Sequence, residues 1–304
     1  MKITPSLTDF TAAPKTLARL VCRPALPADT PQVMEIARLT WGGHDYLSYV
    51  WDDWLQDHRG LLQVAELGGN IVGCSKLSHL APGQGWLHGL RVHADYQDHG
   101  IARKMWAYGE EVWKRMDGGT LRFVTSPTRV KVHHLAEANG YHRRTSFRYY
   151  RGLSRAGKLP DNIDLVTEQE IETVFERMVN NPLLPPAENL WDLAWEWCAP
   201  DLEILRKFII EKMVYWWGGH ERLIMLLDDG EMDGERYCLL GTAVCQPEEA
   251  EAMLHLYLTL ANHLGYRHVG WNVPFSLYQN DAYLLQAELT VSADDEDYIC
   301  FEKN

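Results

Sequence analysis

Between residues 84 and 116 the alternation of apolar and polar positions changes period once, and the rest of the chain reads outward from that change. Leu87, Leu90 and Val92 are strand-type apolar residues. Ile101, Met105, Tyr108, Val112 and Met116 then recur at helical spacing, which predicts an amphipathic helix with one buried face. Between the two, Tyr96-Gln97-Asp98-His99-Gly100-Ile101-Ala102 makes a tight turn, and Asp117-Gly118-Gly119 ends the helix with glycine free to take a left-handed cap. A strand that feeds a helix through such a turn leaves backbone N–H groups pointing outward at the positive end of the helix dipole. The pattern therefore predicts an anion site suited to a pyrophosphate, with Gly100 admitting the ligand close to the backbone and Ala102 leaving it room.

On either side the periods predict a regular succession of elements. Residues before about 17 are polar, carry Pro5 and Pro14, and read as an arm. A strand over 17–23 leads to a helix that starts at Thr30-Pro31, with Val33, Ile36, Ala37 and Thr40 on its inner face. A loop over 41–47 precedes a second helix over 48–57, whose apolar residues are Val50, Trp51, Trp54 and Leu55. Residues 61–67 and 70–80 form a hairpin around Gly68-Gly69. After the central strand and helix come a strand over 120–125, a helix over 129–138 closed by Asn139-Gly140, and a strand over 142–151. This gives a first domain at 17–152, a polar linker at 153–164 and a second domain at 165–304. In the second domain helices are expected over 168–179, 189–197, 201–215, 247–264 and 276–287. Strands are expected over 222–227, 237–245, 268–273 and 298–301. That order repeats much of the first half, with no clear counterpart of its fourth strand.

Gln97-x-x-Gly100-x-Ala102, placed after Leu90-Arg91-Val92, resembles the acyl-CoA signature of the GNAT superfamily (Gcn5-related N-acetyltransferases), written Gln/Arg-x-x-Gly-x-Gly/Ala. The element order over 17–152 is similar to that of a complete GNAT domain. The resemblance implies an α/β (α+β) acyl-CoA N-acyltransferase fold, a mixed central sheet with flanking helices, and a splay between the fourth and fifth strands that admits the pantetheine arm. It also implies acetyl-CoA as co-substrate, held by Leu90, Arg91, Val92, Gln97, Asp98, His99, Gly100, Ile101, Ala102 and Arg103. Asp45-Tyr46-Leu47 followed by Trp54-Leu55-x-Asp57, together with Gly89-Leu90-Arg91-Val92, resembles the branch that includes vertebrate histidine N-acetyltransferase. The second domain looks like a degenerate GNAT copy. Its corresponding turn, Cys245-Gln246-Pro247-Glu248-Glu249, has no glycine, lacks one N–H at Pro247 and carries two carboxylates, so it is expected not to bind CoA. The jobs left to that domain are packing, assembly into a homodimer, or closing the substrate cleft.

Composition narrows the partners. The net charge of −13 over 304 residues argues against a general nucleic-acid or anionic-membrane binder, while Arg91, His99, Arg103 and Lys104 supply the local basic patch that a nucleotide cofactor needs. The cysteines form no Cys-x-x-Cys pair and no zinc-ligand spacing, so no metal is expected and the thiols read as reduced. The N-terminus lacks a signal-peptide pattern and no apolar run approaches the ~20 residues of a membrane span, which makes cytoplasmic the expected location.

Acetyl transfer needs a neutral amine, a polarised thioester carbonyl and a stabilised leaving thiolate. In GNAT enzymes a backbone N–H of the fourth strand polarises the carbonyl, which corresponds to residues 90–92. Many relatives carry a glutamate base two residues before the strand's leucine. His88 stands there, and an imidazole with an ordinary pKa near ~6.5 would suit the task. A strand histidine satisfied by its neighbours is the plain alternative, and Asp45 is the other candidate base. The family's thiolate partner, a tyrosine four residues before the closing glycine, is replaced by Ala136, with His133 and His134 within a turn of it and Tyr141 just beyond. His134 is the candidate substitute. Trp41, His44, Asp45 and Tyr46, beside Trp51 and Trp54, make an aromatic wall with a carboxylate that suits a small amine, although tryptophans at helical spacing serve a core equally well. The expected activity is acetyl-CoA-dependent N-acetylation of a small-molecule amine, free amino acids included, by direct attack in a ternary complex. The alternatives are an acyl-CoA-binding module with little catalysis, and acetylation of a protein N-terminus or lysine.

Overall fold

A computed structural model describes residues 19–232, 234–291 and 297–304. The expected N-terminal arm and the start of the first strand lie outside the described residues. Contacts divide the chain into two compact units, one through Leu121 and one from Arg122.

In the first unit β1 (Leu20–Pro24) is followed by α1 (Thr30–Leu39) and α2 (Leu47–Gln56). Then come β2 (Leu61–Leu67), β3 (Asn70–Ala81), β4 (Gln84–Val92) and α3 (Ile101–Met116). The four strands form an antiparallel meander in chain order. The two-residue period of β2 sorts its side chains. Leu62 and Val64, with Cys74 of β3, pack under Val33 and Ile36 of α1 and Leu47 and Trp51 of α2. Ala65 and Leu67 meet Ile101 and Met105 of α3 on the opposite face.

The buried stripe of α3 runs through Ile101, Met105, Trp106, Gly109, Glu110 and Trp113, whereas Met116 is exposed. Only the first two residues of the expected face belong to it. The stripe turns onto Trp106 and Trp113 because each ring also finds a polar partner: Trp106 donates to the Glu110 carboxylate at 3.1 Å and Trp113 to the Gly119 carbonyl at 3.2 Å.

Strand β5 (Thr120–Thr125) crosses the boundary between the units. Next are α4 (Val130–Ala138), β6 (His142–Leu153), β7 (Ile163–Leu165), α5 (Ile171–Val179) and the short strands β8 (Trp191–Asp192) and β9 (Trp197–Cys198). They are followed by α6 (Leu202–Ile210), β10 (Val214–Trp217), β11 (Arg222–Met232), β12 (Glu235–Val244) and α7 (Ala250–His263). The chain closes with β13 (His268–Pro274), α8 (Phe275–Tyr278), α9 (Ala282–Gln286) and β14 (Tyr298–Lys303). The strand order is β5-β14-β6-β13-β12-β11-β10-β7, with β12 and β13 parallel, so the sheet is mixed. The last strand thus lies between β5 and β6. Phe301 stacks on Phe123 with ring centroids 5.2 Å apart, and the Glu302 carboxylate accepts from Arg122 at 2.6 Å and from Arg144 at 2.7 Å. The polar stretch after β6 begins inside this unit: Ser154 is buried, its N–H donates to the Arg267 carbonyl at 3.0 Å and its hydroxyl to the Tyr266 carbonyl at 2.6 Å.

Three expected helices change here. Residues 189–197 hold the β8/β9 hairpin, turned by positive φ at Ala194 and Trp195 and by the Asp192 carboxylate, which accepts from the Trp195 N–H at 2.8 Å. The helix expected over 201–215 stops at Ile210, where Lys212 takes φ +59, and Val214–Trp217 continue as the fully buried strand β10. The third, over 276–287, is the two short helices α8 and α9. With β10 restored, β12 is the counterpart of β4, and the repeat has its full set of strands.

Trp216→Ala is expected to cost about 3–5 kcal/mol in urea unfolding, since the ring is 2% exposed and its Nε1 donates to Glu170 at 2.9 Å. Ile210→Ala, at a position 59% exposed, should stay within about 0.5 kcal/mol. Equal effects would contradict the register of β10.

Candidate functional site

The turn after β4 leads into α3 with no side-chain cap. Gly100 takes φ +77 immediately before α3, a left-handed conformation that side chains resist, and a Cβ there would meet no atom within 4 Å. Asp98 also has positive φ, at +62. No side chain caps the helix, and its hydrogen-bond ladder begins with the Lys104 N–H on the Gly100 carbonyl at 3.2 Å. The N–H groups of Ile101, Ala102 and Arg103 therefore have no intrahelical acceptor. Gln97 braces the turn by donating from Nε2 to the Val92 carbonyl at 3.2 Å, and His99 Nδ1 lies 2.6 Å from the Gln97 carbonyl. Leu90, Val92 and Ile101 pack in the apolar cluster beneath, while Arg103 is exposed.

The sheet face under α1 and α2 carries the polar groups. One extra residue in β4 shifts the pairing between Cys74–Arg91 and Lys76–His88. That bulge is Gly89, at φ +66, where an added Cβ would stand 2.7 Å from the Trp54 ring. It brings His88 and Arg91, three positions apart, to the same face. His88 Nε2 lies 2.9 Å from Ser78 Oγ, and its ring centre is 4.5 Å from that of Trp54. Burial, then the cations of Lys76 and Arg91, push the imidazole down to about 3. An imidazole near ~6.5 would suit a general base. Burial removes that property, and the ring stays neutral across the neutral range.

Asp45 is also placed otherwise than expected. Its side chain is fully buried and bridges Arg91 through two bonds, 2.7 Å to Nε and 2.9 Å to Nη2, while Oδ1 also accepts from the Leu47 N–H at 3.2 Å. With its charge matched inside the protein, it neither presents a carboxylate to an ammonium nor draws off a proton. Arg91, expected among the cofactor contacts, is held by the same bridge and lies over Trp41 at 4.2 Å and Tyr46 at 5.3 Å. Trp41, His44 and Tyr46 are exposed around this pair. Trp51 is buried and Trp54 half-buried. In the second unit His134 is exposed, with Glu137 at 4.0 Å, and Ala136 is buried.

Lys76, Asp57 and Ser78 are further polar members of this face. Lys76 is 1% exposed and its Nζ lies 2.5 Å from the Asp57 carboxylate. The signal was available in β3, where Cys74, Lys76 and Ser78 alternate onto one face and a lone lysine sits at a position that should be apolar.

The second unit treats the equivalent places differently. Ahead of α7, Glu249 accepts from the Gln246 N–H at 3.0 Å and pairs with Arg222 at 2.8 Å, so the turn is capped by its own carboxylate. The β12–β13 ladder ends at Leu239–Gly270. Beyond it lies the β8/β9 hairpin: the Asp192 carboxylate accepts from Asn272 at 2.7 Å, the Asp192 carbonyl would be 3.1 Å from a Cβ at Gly241, and Trp197 stacks on Phe147 at 4.8 Å. Among the described residues, no group of three His, Cys, Asp or Glu side chains is placed to hold a metal, and no helix is long and apolar enough to cross a membrane.

Comparison with known proteins adds the following. Residues 30–141 match the Acetyltransferase (GNAT) family. No curated protein matches the chain. Among solved structures, a GCN5-related N-acetyltransferase from Sphaerobacter thermophilus is 14% identical, with 94% of this chain and 95% of that one covered and a TM-score of 0.62. A glucosamine N-acetyltransferase region of a fungal multi-domain GH3 β-N-acetylglucosaminidase is 12% identical over 93% of this chain and 38% of that one, TM-score 0.66. A tandem GNAT protein from the clavulanic acid biosynthesis pathway is 16% identical over 93% and 98%, TM-score 0.54. At these identities the likeness is one of fold, and the mixed sheet with flanking helices described above is the GNAT fold.

Asp45→Asn should cost about 3–5 kcal/mol in chemical unfolding, because it leaves the Arg91 guanidinium, 11% exposed, without its anion. A change below about 0.5 kcal/mol would return Asp45 to the ranks of free, substrate-facing groups.

Proposed function

We propose that the protein, whose residues 30–141 match the Acetyltransferase (GNAT) family, is an acetyl-CoA-dependent N-acetyltransferase whose acceptor is a small-molecule amine. The observation that carries this reading is the uncapped start of α3 behind Gly100. Three outward N–H groups at a helix N-terminus suit a pyrophosphate, and the glycine keeps its approach open. Gln97, Asp98, His99, Gly100, Ile101, Ala102 and Arg103 form this cradle, with the main chain of residues 90–92 leading into it. Acetyl-CoA supplies the acetyl thioester when bound.

The groups on the far face fit an acceptor that reacts as a neutral amine. A free carboxylate beside the amine would raise the amine's pKa and slow its attack. Asp45 does not do so, since Arg91 holds it. Trp41, His44 and Tyr46 are left to contact the acceptor through ring faces and an imidazole. His88 is a neutral ring fixed by Ser78, suited to orienting an N–H through a hydrogen bond and leaving the proton to water. A free amino acid is one member of this acceptor class.

Calorimetry tests the cradle. The chain should bind one equivalent of CoA, because the second unit's turn is capped by Glu249. Gly100→Glu should weaken binding about 100-fold or more, since a carboxylate would then face the phosphates. Two equivalents of similar affinity, or unaltered binding by the variant, would overturn the assignment.

A further inference from the structure

We propose that the second unit binds one internal water between Thr242 and Asn272, where β12 and β13 part, and that this water helps hold the β8/β9 hairpin in place. The two strands pair in parallel through Leu239 and Gly270. Past that point each keeps its outer neighbour: Thr242 pairs with Met225 of β11, and Asn272 with Tyr149 of β6. The pairing of β12 also slips there, between Leu226–Leu240 and Met225–Thr242, which makes Gly241 an extra residue. A Cβ on Gly241 would stand 3.1 Å from the Asp192 carbonyl, so the glycine lets the hairpin come close.

A small cavity lies at this place, with about 10 Å³ open to the centre of a water molecule. Its walls are leucine and aromatic side chains, broken by Asp192, Thr242 and Asn272. These three are 3%, 5% and 2% exposed. Thr242 Oγ1 and Asn272 Oδ1 have no hydrogen-bond partner among the described residues. Buried polar atoms seldom go without one, and a cavity holds a water when it has room for about one water-sized sphere and roughly two to four polar neighbours. The Asn272 amide is oriented by its other end, where Nδ2 donates to the Asp192 carboxylate at 2.7 Å, and this leaves Oδ1 as an acceptor. Thr242 brings a hydroxyl that donates as well as accepts. The partner both atoms lack must therefore donate to one and accept from the other, and at this size water does both. From Asn272 the bonds run on to Asp192, whose carboxylate accepts from the Trp195 N–H at 2.8 Å in the turn of the hairpin. Securing Asn272 thus secures the hairpin.

The inference is independent of acetyl transfer. Its test is a crystal structure of the full-length protein at a resolution that shows waters, with amide exchange of the same chain followed by NMR. The wild type should show a water within hydrogen-bond distance of both Thr242 Oγ1 and Asn272 Oδ1. Thr242→Ser keeps the hydroxyl and should keep the water. Thr242→Val, of nearly the same shape, should lose it, and the Trp195 amide should then exchange about 3- to 10-fold faster. A wild-type structure with no water shared by the two atoms, or with both bonded to protein groups instead, would overturn the proposal whether or not either variant folds. So would a folded Thr242→Val protein that retains the water, or one that loses it while the Trp195 amide exchanges at the wild-type rate.

Discussion

Gly89 sits in the middle of a strand at φ +66, with the Trp54 ring where a side chain would stand. That bulge is the constraint on which the face of the first unit depends. Without the extra residue, His88 and Arg91 would point to opposite sides of the sheet, because side chains alternate along a strand. With it, both rise toward α2, and each meets an anion delivered by the segments around that helix: Asp45 for Arg91, and Asp57 for the Lys76 that neighbours His88. The two ion pairs fasten the loop of Trp41 and Tyr46 and the end of α2 to β3 and β4. They also neutralise four charges that burial would otherwise make costly. What remains for chemistry on this face is an uncharged imidazole, a serine hydroxyl and exposed aromatic rings.

Residues 20–153 and 163–303 repeat one element order and treat the same terminus in opposite ways. In the first, Gly100 takes a left-handed φ and no side chain caps the helix, so the first N–H groups have no partner within it. In the second, Glu249 closes the turn from within and is itself held by Arg222. A helix start has a fixed number of orphan donors, and a carboxylate already in place leaves no call for a phosphate. The β8/β9 hairpin completes the difference. It lies where the β12–β13 ladder stops, and it buries Asp192, whose carboxyl burial pushes up to about 7.

Local chemistry made the turn and the helix start behind Gly100 legible from sequence. Gly100, Gln97 and Ala102 act within a few residues of one another, and a strand-turn-helix boundary is written in the change of period. The ion pairs were not legible, because Asp45 and Arg91 are 46 positions apart and only the fold brings them together. A carboxylate in a glycine-rich loop looks like a ligand contact until its partner is seen. His88 failed for a related reason: position named the residue, but the property wanted from it depends on burial under Trp54 and on Lys76. In the second unit the helix expected over 189–197 is the β8/β9 hairpin, and the buried strand at 214–217 falls within the range expected for the helix before it, since a short apolar run fits either period. The family's usual tyrosine is Ala136, buried in α4, and this favours a binder without catalysis as the competing reading.

Release of CoA decides between the two. Full-length protein is mixed with acetyl-CoA and a panel of amino acids, amino sugars, polyamines and a lysine peptide, and free thiol and N-acetyl product are measured together. The account predicts thiol release matched one-for-one by acetylated product with at least one small amine, and none from the Gly100→Glu protein. Saturable acetyl-CoA binding with no release above the protein-free rate for any small amine, or a peptide as the sole acceptor, would contradict it.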